Sequence, residues 1–149
     1  MQKRLNSEAE TLVFAKQLSS ILNPGDVLAI SGELGAGKSV LARAVMRALG
    51  VTDKALPSPT YTIIQEYEGR GCRLAHMDWY RLADADELEA IGVREYMQPP
   101  WICLIEWPER GEELLDASAI HIRFGCVDDD PDARELEVSG DKIGAQALS

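Results

Sequence analysis

Eight consecutive residues carry the clearest chemical signal in this sequence. The run Gly32-Glu33-Leu34-Gly35-Ala36-Gly37-Lys38-Ser39 matches the phosphate-binding pattern G-x-x-x-x-G-K-[ST] at every fixed position. Glycines in such a loop let successive backbone N–H groups turn inward around phosphate oxygens. Lys38 would then reach the β- and γ-phosphates, and Ser39 would offer its hydroxyl to Mg²⁺. The pattern therefore predicts a nucleoside triphosphate site and strongly disfavours an ordinary glycine-rich turn.

Such a site needs a second group near the metal, which is usually an acid at the end of a buried strand. The chain offers two acids of this kind. Asp78 ends the run Leu74–Met77, and Glu106 ends the more hydrophobic run Trp101–Ile105. The sequence leaves open which of the two binds the metal. Trp107 directly follows Glu106, where its ring could shield the γ-phosphate from water.

Other residues with chemical potential favour a structural interpretation. His76 and His121 lie in strand-like segments, which favours core or surface histidines over ligands or bases. The acidic run 128–132 contains Pro131 and lacks calcium-loop spacing, so a solvated turn is expected. Three cysteines without C-x-x-C spacing indicate neither a disulfide framework nor a zinc site, and they suit a reducing cytosol.

The elements that would position the phosphate loop can be read from the pattern of apolar residues. Ser7 followed by Glu10 is a capping-box pattern that predicts a helix from Glu8 to Leu22. Val27–Ile30 reads as a strand leading into the loop, and 38–49 as the helix that follows it and stops at Gly50. The two prolines within residues 54–60 then predict a loop.

The second half of the chain supplies the remaining strands. Residues 61–67 and 72–77 predict a β-hairpin, 84–91 a short helix ended by Gly92, and 101–105 a strand buried on both faces. Residues 120–124 and 135–138 alternate apolar and polar side chains and predict antiparallel strands around the acidic turn. The expected fold is α/β, a P-loop NTPase-like three-layer sandwich. Its mixed sheet has 27–30 and 101–105 in the parallel core, and its hairpin and last strands run antiparallel.

Length and composition limit the function classes. The 149 residues suit one P-loop ATPase domain spanning 1–149, and 46% hydrophobic residues exclude a disordered class. The net charge of −10 repels phosphate backbones, which disfavours unaided nucleic-acid binding. The sequence shows no signal peptide and no apolar run long enough for a membrane span, so a cytoplasmic protein is expected.

Four motifs in order resemble the TsaE family, formerly called YjeE, the bacterial ATPase of tRNA threonylcarbamoyladenosine (t6A) biosynthesis. They are the phosphate loop, Ser58-Pro59-Thr60-Tyr61, His76-Met77-Asp78-Trp79-Tyr80-Arg81-Leu82 and Glu106-Trp107-Pro108-Glu109. The resemblance runs from the first helix to about Gly111, and the remaining residues match loosely.

The resemblance implies a role for each matching position. Thr60 would sense the γ-phosphate, Asp78 and Glu106 would lie at Mg²⁺ or its waters, and Trp107 would lie beside the nucleotide. Lys38, Thr60, Asp78 and Glu106 form the expected catalytic set, and Ser39, Glu106 and Asp78 the expected metal set. ATP would also be held by Thr11, Glu33, Leu34, Gly35, Ala36, Gly37, Lys38, Ser39, Val40, Trp107 and Arg134, with Thr11 and Arg134 flanking the base or ribose.

The implied function is a Mg²⁺-dependent ATPase with ATP and Mg²⁺ as cofactors. Its ATPase activity would be weak without partners. The protein would act with the TsaB and TsaD proteins in threonylcarbamoyl transfer to adenosine in tRNAs reading ANN codons. It would contact tRNA only through that complex. Two alternatives remain. A small-molecule kinase could use the same loop, although the chain lacks an arginine-rich lid. A GTP-dependent switch would need N-K-x-D, whereas the asparagines here are Asn6 and Asn23.

Overall fold

The computed structural model describes residues 1–33, 37–53, 64–80, 85–115, 118–127 and 129–140. Its helices and strands are, in chain order, β1 Gln2–Leu5, α1 Glu8–Ile21, β2 Val27–Ser31, α2 Lys38–Ala48, β3 Ile64–Glu68, β4 Arg73–Asp78, α3 Ala85–Ala90, a first 3₁₀ helix Val93–Met97, β5 Trp101–Glu106, a second 3₁₀ helix Pro108–Leu114, β6 Ile120–Val127 and β7 Asp130–Ser139. Within these residues no helix is long and apolar enough to cross a bilayer.

The strands form one mixed sheet of seven in the order β1-β7-β6-β2-β5-β4-β3. The predicted parallel pair, β2 and β5, lies at its centre, and β6 and β4 add to it in the same direction. The parallel core is therefore larger than predicted. The chain returns through a 3₁₀ helix before β5 and again before β6, and such crossovers are what a parallel neighbour requires. Only the β3–β4, β6–β7 and β1–β7 pairs are antiparallel among the described strands.

Two apolar clusters lie on opposite faces of the sheet and confirm the three-layer α/β architecture. On one face Phe14 and Leu18 of α1 and Leu41 of α2 pack against the sheet. On the other face Leu88 of α3 packs with Trp79, and the 3₁₀ helices complete this layer. The strand ends that carry the site therefore lie between two packed layers, which restrict the movement of these strand ends.

The predicted helices are confirmed with small differences at their ends. The Ser7 side chain accepts a hydrogen bond from the Glu10 backbone N–H, so the capping signal works as expected. Helix α1 ends at Ile21, α2 at Ala48, and α3 is shorter than the predicted 84–91. Gly92 adopts φ +81°, a left-handed conformation that ends the helical region with little strain.

Three strand assignments differ from the sequence prediction. The sequence does not predict β1, because Leu5 is the only buried residue of this strand. Pairing with β7 stabilises the strand. β6 extends to Val127 and β7 begins at Asp130, so part of the predicted acidic turn is strand. The predicted loop 54–60, the predicted strand residues 61–63 and Asp128 lie outside the described residues.

Candidate functional site

The site lies where three neighbouring parallel strands end. β2 ends at Ser31, one residue before the phosphate loop, and β5 and β4 end at Glu106 and Asp78. The register pairs Ile30 with Glu106 and Glu106 with Asp78. The carboxyl ends of parallel strands meet at one edge, so the loop and both predicted acids converge there, as ligand sites in open α/β sheets do.

Lys38 lies at the start of α2 and is 5% exposed. Its Nζ donates to the backbone oxygens of Gly32 at 2.6 Å and Glu33 at 2.7 Å. The same ammonium lies 4.4 Å from the centre of the Trp107 ring. Burial lowers the Lys38 pKa, and the charges of Glu106, Glu109 and Asp78 oppose that shift. The backbone oxygens of the phosphate loop thus hold the ammonium in place, and the face of the Trp107 ring lies over it.

Glu106 is 3% exposed and both of its carboxylate oxygens accept hydrogen bonds. Ser39 Oγ donates to Oε1 at 2.9 Å, and His76 Nε2 lies 2.6 Å from Oε2. Burial alone would raise the Glu106 pKa, but these two hydrogen bonds and the Lys38 charge outweigh it and leave the pKa below its usual value. Glu106 is therefore held as an anion beside the predicted Mg²⁺-binding hydroxyl.

Asp78 lies next to Glu106 across the β4–β5 pair. It is partly buried, and its Oδ1 accepts a hydrogen bond from the Tyr80 backbone N–H at 2.9 Å. Burial raises the Asp78 pKa, and the neighbouring charge of Glu106 adds to that shift. Two adjacent carboxylates of this kind gain from a cation between them or near them.

The donors present fit Mg²⁺. Magnesium is usually held by one or two carboxylates, a P-loop hydroxyl, waters and substrate phosphates rather than by a protein cage. Ser39, Glu106 and Asp78 supply that hydroxyl and those carboxylates. Among the described residues there is no group of three or more His, Cys, Asp and Glu side chains that could hold a metal ion.

Trp107 has the left-handed backbone conformation φ +60°, ψ +51°, which is unusual for a bulky residue. This conformation follows the end of β5, where the Trp107 N–H donates to Ile30 O at 3.3 Å. The ring packs against Tyr80 in a tilted arrangement, with centroids 4.8 Å apart and an interplanar angle of 50°, and Arg110 lies 5.6 Å from the Tyr80 ring. The strained residue thus places an aromatic wall beside Lys38, as strain at functional sites commonly does.

A surface pocket of about 290 Å³ opens at the N-terminal end of α2. Four predicted nucleotide contacts line it: Thr11, Gly37, Val40 and Arg134. Arg134 is anchored by bonds from Nη1 to the backbone oxygens of Pro131 and Ala133. The pocket adjoins the phosphate loop, so one extended ligand could reach from the pocket to Lys38. Leu34, Gly35, Ala36 and Thr60 lie outside the described residues, and their predicted roles stay predictions.

The sequence predicts His76 to be a core or surface histidine rather than a ligand or base, and its ring is completely buried in the core. The sequence does not predict that this ring also bonds Glu106. One sequence signal points to it, because alternation along a strand puts His76 on the same face as Asp78. The position of Glu106 at the adjacent strand end is seen only in the register of β4 against β5. His121 lies on β6 away from the site, in a separate pocket with Arg123.

Comparison with known proteins identifies the family. The model of "Threonylcarbamoyl adenosine biosynthesis protein TsaE" matches residues 5–136. This chain belongs to the TsaE family. Relatives named "tRNA threonylcarbamoyladenosine biosynthesis protein TsaE" include one from Haemophilus influenzae, 38% identical over 148 residues that cover 95% of this chain and 91% of the relative. One from Bacillus subtilis is 38% identical over 135 residues, covering 91% of this chain and 81% of the relative.

A solved TsaE structure has the same architecture. The crystal structure of Bacillus subtilis YdiB superimposes with a TM-score of 0.78 and 31% sequence identity. The superposition covers 99% of this chain and 88% of that chain. The similarity therefore extends over the last two strands, where the sequence resemblance was loose, and it includes β7, which carries Arg134.

Proposed function

We propose that this protein is a Mg²⁺-dependent ATPase of the cytoplasm that acts in tRNA t6A biosynthesis together with TsaB and TsaD. The observation that carries the proposal is the meeting of Lys38, Ser39 and Glu106 at the carboxyl ends of β2 and β5. A P-loop lysine, a hydroxyl and a strand-end acid form the minimal set with which P-loop proteins bind a triphosphate and its metal.

Each residue of the site has its own role in nucleotide and metal binding. Lys38 neutralises charge on the β- and γ-phosphates, and the N-terminus of α2 adds its dipole to the same phosphates. Ser39 and Glu106 would hold Mg²⁺, directly or through its waters, with Asp78 beside them. When bound, Mg²⁺ supplies charge stabilisation to the oxygens of the transferred phosphoryl group. The pocket between Thr11 and Arg134 takes the base or ribose, and Trp107 limits access of water from one side.

The proposal includes weak activity without partners. An arginine at the γ-phosphate contributes a factor of about 10³–10⁵ to the rate of phosphoryl transfer in comparable enzymes. The phosphate loop, residues 32–39, contains no arginine, and Arg110 lies 5.6 Å from the centre of the Tyr80 ring. We therefore expect TsaB–TsaD to complete or close the site and to carry the tRNA that this acidic protein repels.

The test compares nucleotide binding and ATP hydrolysis by the protein alone and with saturating TsaB–TsaD. We expect Mg²⁺-dependent binding of ATP and ADP, slow hydrolysis alone and faster hydrolysis with the partners. In Lys38→Ala, nucleotide binding should weaken and hydrolysis should be lost. Hydrolysis that is already fast alone, or that the partners leave unchanged, would contradict partner-completed catalysis. Transfer of the γ-phosphoryl group to a small acceptor in a screen would replace the ATPase with the kinase alternative. Tighter binding of GTP than of ATP would favour the switch.

A further inference from the structure

A completely buried ring, that of His76, contacts the carboxylate of Glu106 at the site. His76 is 0% exposed, and its Nε2 lies 2.6 Å from Glu106 Oε2. An ionised carboxylate only accepts hydrogen bonds, so the proton of this bond is on Nε2 and the ring donates. Oε1 of the same carboxylate is left to Ser39, whose hydroxyl donates to it at 2.9 Å.

We propose that His76 is a positioning residue for the metal site. It hydrogen-bonds Oε2 of Glu106 and so leaves Oε1 turned toward Ser39, the other residue that would hold Mg²⁺. This inference rests on the proposed Mg²⁺–nucleotide site and deepens it, because it assigns a role that neither the loop motif nor the two acids contains. Outer partners that orient metal-binding carboxylates affect metal affinity strongly, although they never touch the metal.

The structure fixes the ring so that it can orient the carboxylate. β4 is paired on both sides, and its ladders place His76 opposite Leu104 of β5 and opposite Gln65 of β3. The ring is also completely buried, so close packing leaves it little room to follow Glu106 if the carboxylate rotates. Within the described residues Nδ1 has no hydrogen-bond partner, so the bond to Glu106 is the one polar contact that accounts for the placement of this ring.

The arrangement also keeps Ser39 competent for the metal. The Ser39 hydroxyl donates its hydrogen bond to Oε1, which would leave the lone pairs of Oγ for Mg²⁺. If Glu106 turned and presented another oxygen, the hydroxyl would lose this direction. A buried carboxylate with a single partner would also be poorly compensated for its lost hydration. One histidine thus orients two of the predicted metal ligands, Glu106 directly and Ser39 through it.

Two substitutions separate donation by the ring from simple filling of space. In His76→Gln the side-chain amide can donate to Oε2 from a position close to that of Nε2, whereas in His76→Leu the volume remains but the donor is lost. The readout is binding of ADP measured by calorimetry across a Mg²⁺ titration and in EDTA. His76→Leu should need roughly 10- to 100-fold more Mg²⁺ for half-maximal enhancement of ADP binding. His76→Gln should stay close to wild type, and ADP affinity in EDTA should change little in both variants.

Glu106→Gln supplies the matched background. If His76 acts through Glu106, His76→Leu should change the Mg²⁺ requirement little once Glu106 has been replaced. An equal loss in both backgrounds, or a wild-type Mg²⁺ requirement in His76→Leu, would overturn the proposal. Equal losses in His76→Gln and His76→Leu would overturn it too, since they would show that the ring shape and not the donor matters.

Urea unfolding of the nucleotide-free proteins makes the test independent of the proposed function. The four proteins of the His76→Leu and Glu106→Gln cycle give the coupling between the two side chains directly. We expect a clear non-additivity, and additive effects would overturn the orienting contact. If the wild type binds no Mg²⁺–nucleotide, the proposed function fails, whereas coupling in this cycle still decides whether His76 holds Glu106.

Discussion

Gly32→Ala tests how closely the phosphate loop packs against the sheet. Gly32 has φ +142°, and a Cβ built there would lie 2.9 Å from both the Cβ and the backbone oxygen of Phe124 on β6. The backbone conformation costs a residue with a side chain about 1–3 kcal/mol. Forcing a methyl group against backbone that cannot retreat adds roughly 1–3 kcal/mol. We expect Gly32→Ala to lower the free energy of unfolding by about 2–6 kcal/mol, a large part of the stability of a typical domain.

Two other glycines separate the contributions. Gly71 has φ +65° but nothing within 4 Å of a built Cβ, so Gly71→Ala isolates the backbone cost of about 1–2 kcal/mol. For Gly125→Ala the nearest atom lies at 3.7 Å, which is ordinary contact, and its effect should be small. Urea unfolding followed by circular dichroism gives the three values, and a loss of 4 kcal/mol would move the midpoint by about 2 M. Gly32→Ala as stable as Gly71→Ala would refute the close approach of the loop to β6.

Three further predictions concern side chains of the site. Lys38→Ala should weaken Mg²⁺–ADP binding roughly 10- to 150-fold, since a charge-assisted contact is worth about 1.5–3 kcal/mol; calorimetry showing unchanged affinity would remove Lys38 from the site. Arg134→Ala should weaken ATP binding roughly 2- to 13-fold, as expected for one hydrogen bond, and leave tripolyphosphate binding unchanged; equal losses for both ligands would place Arg134 elsewhere. Asp78→Asn should stabilise the nucleotide-free protein at pH 7: burial raises the Asp78 pKa, so the folded carboxylate costs stability above that pKa and the cost disappears on acidification. A Tm gain in Asp78→Asn that persists at pH 3 would contradict this origin.

Local patterns predicted the site where the chemistry is contiguous in sequence. The phosphate loop, the capping box at Ser7 and the strand ending at Glu106 each need only a few neighbouring residues. These signals are physical requirements of one loop, one helix start and one buried strand, and they sufficed to bring Lys38, Ser39 and Glu106 together.

Pairing between distant segments was harder to predict. The predicted antiparallel pairings are confirmed, with β4 against β3 and β6 against β7. The sequence does not predict that β4 and β6 also pair in parallel with β5 and β2, because that direction depends on how the chain crosses back rather than on residue pattern. β1 has one buried residue and exists through its contacts with β7. The role of His76 depends on the register of β4 against β5, which no local pattern contains.

The way Lys38 is held has a kinetic consequence. Its ammonium already has two oxygen partners in the loop, so an arriving phosphate does not meet a bare cation but competes for one that is satisfied. The net gain from the lysine is the difference between its bonds to the phosphate and its bonds to the loop oxygens. The smaller the fraction of molecules whose lysine is released, the weaker the observed affinity. Nucleotide capture should accordingly saturate in rate at high ligand concentration, as a step limited by loop rearrangement does, rather than rise in proportion to concentration.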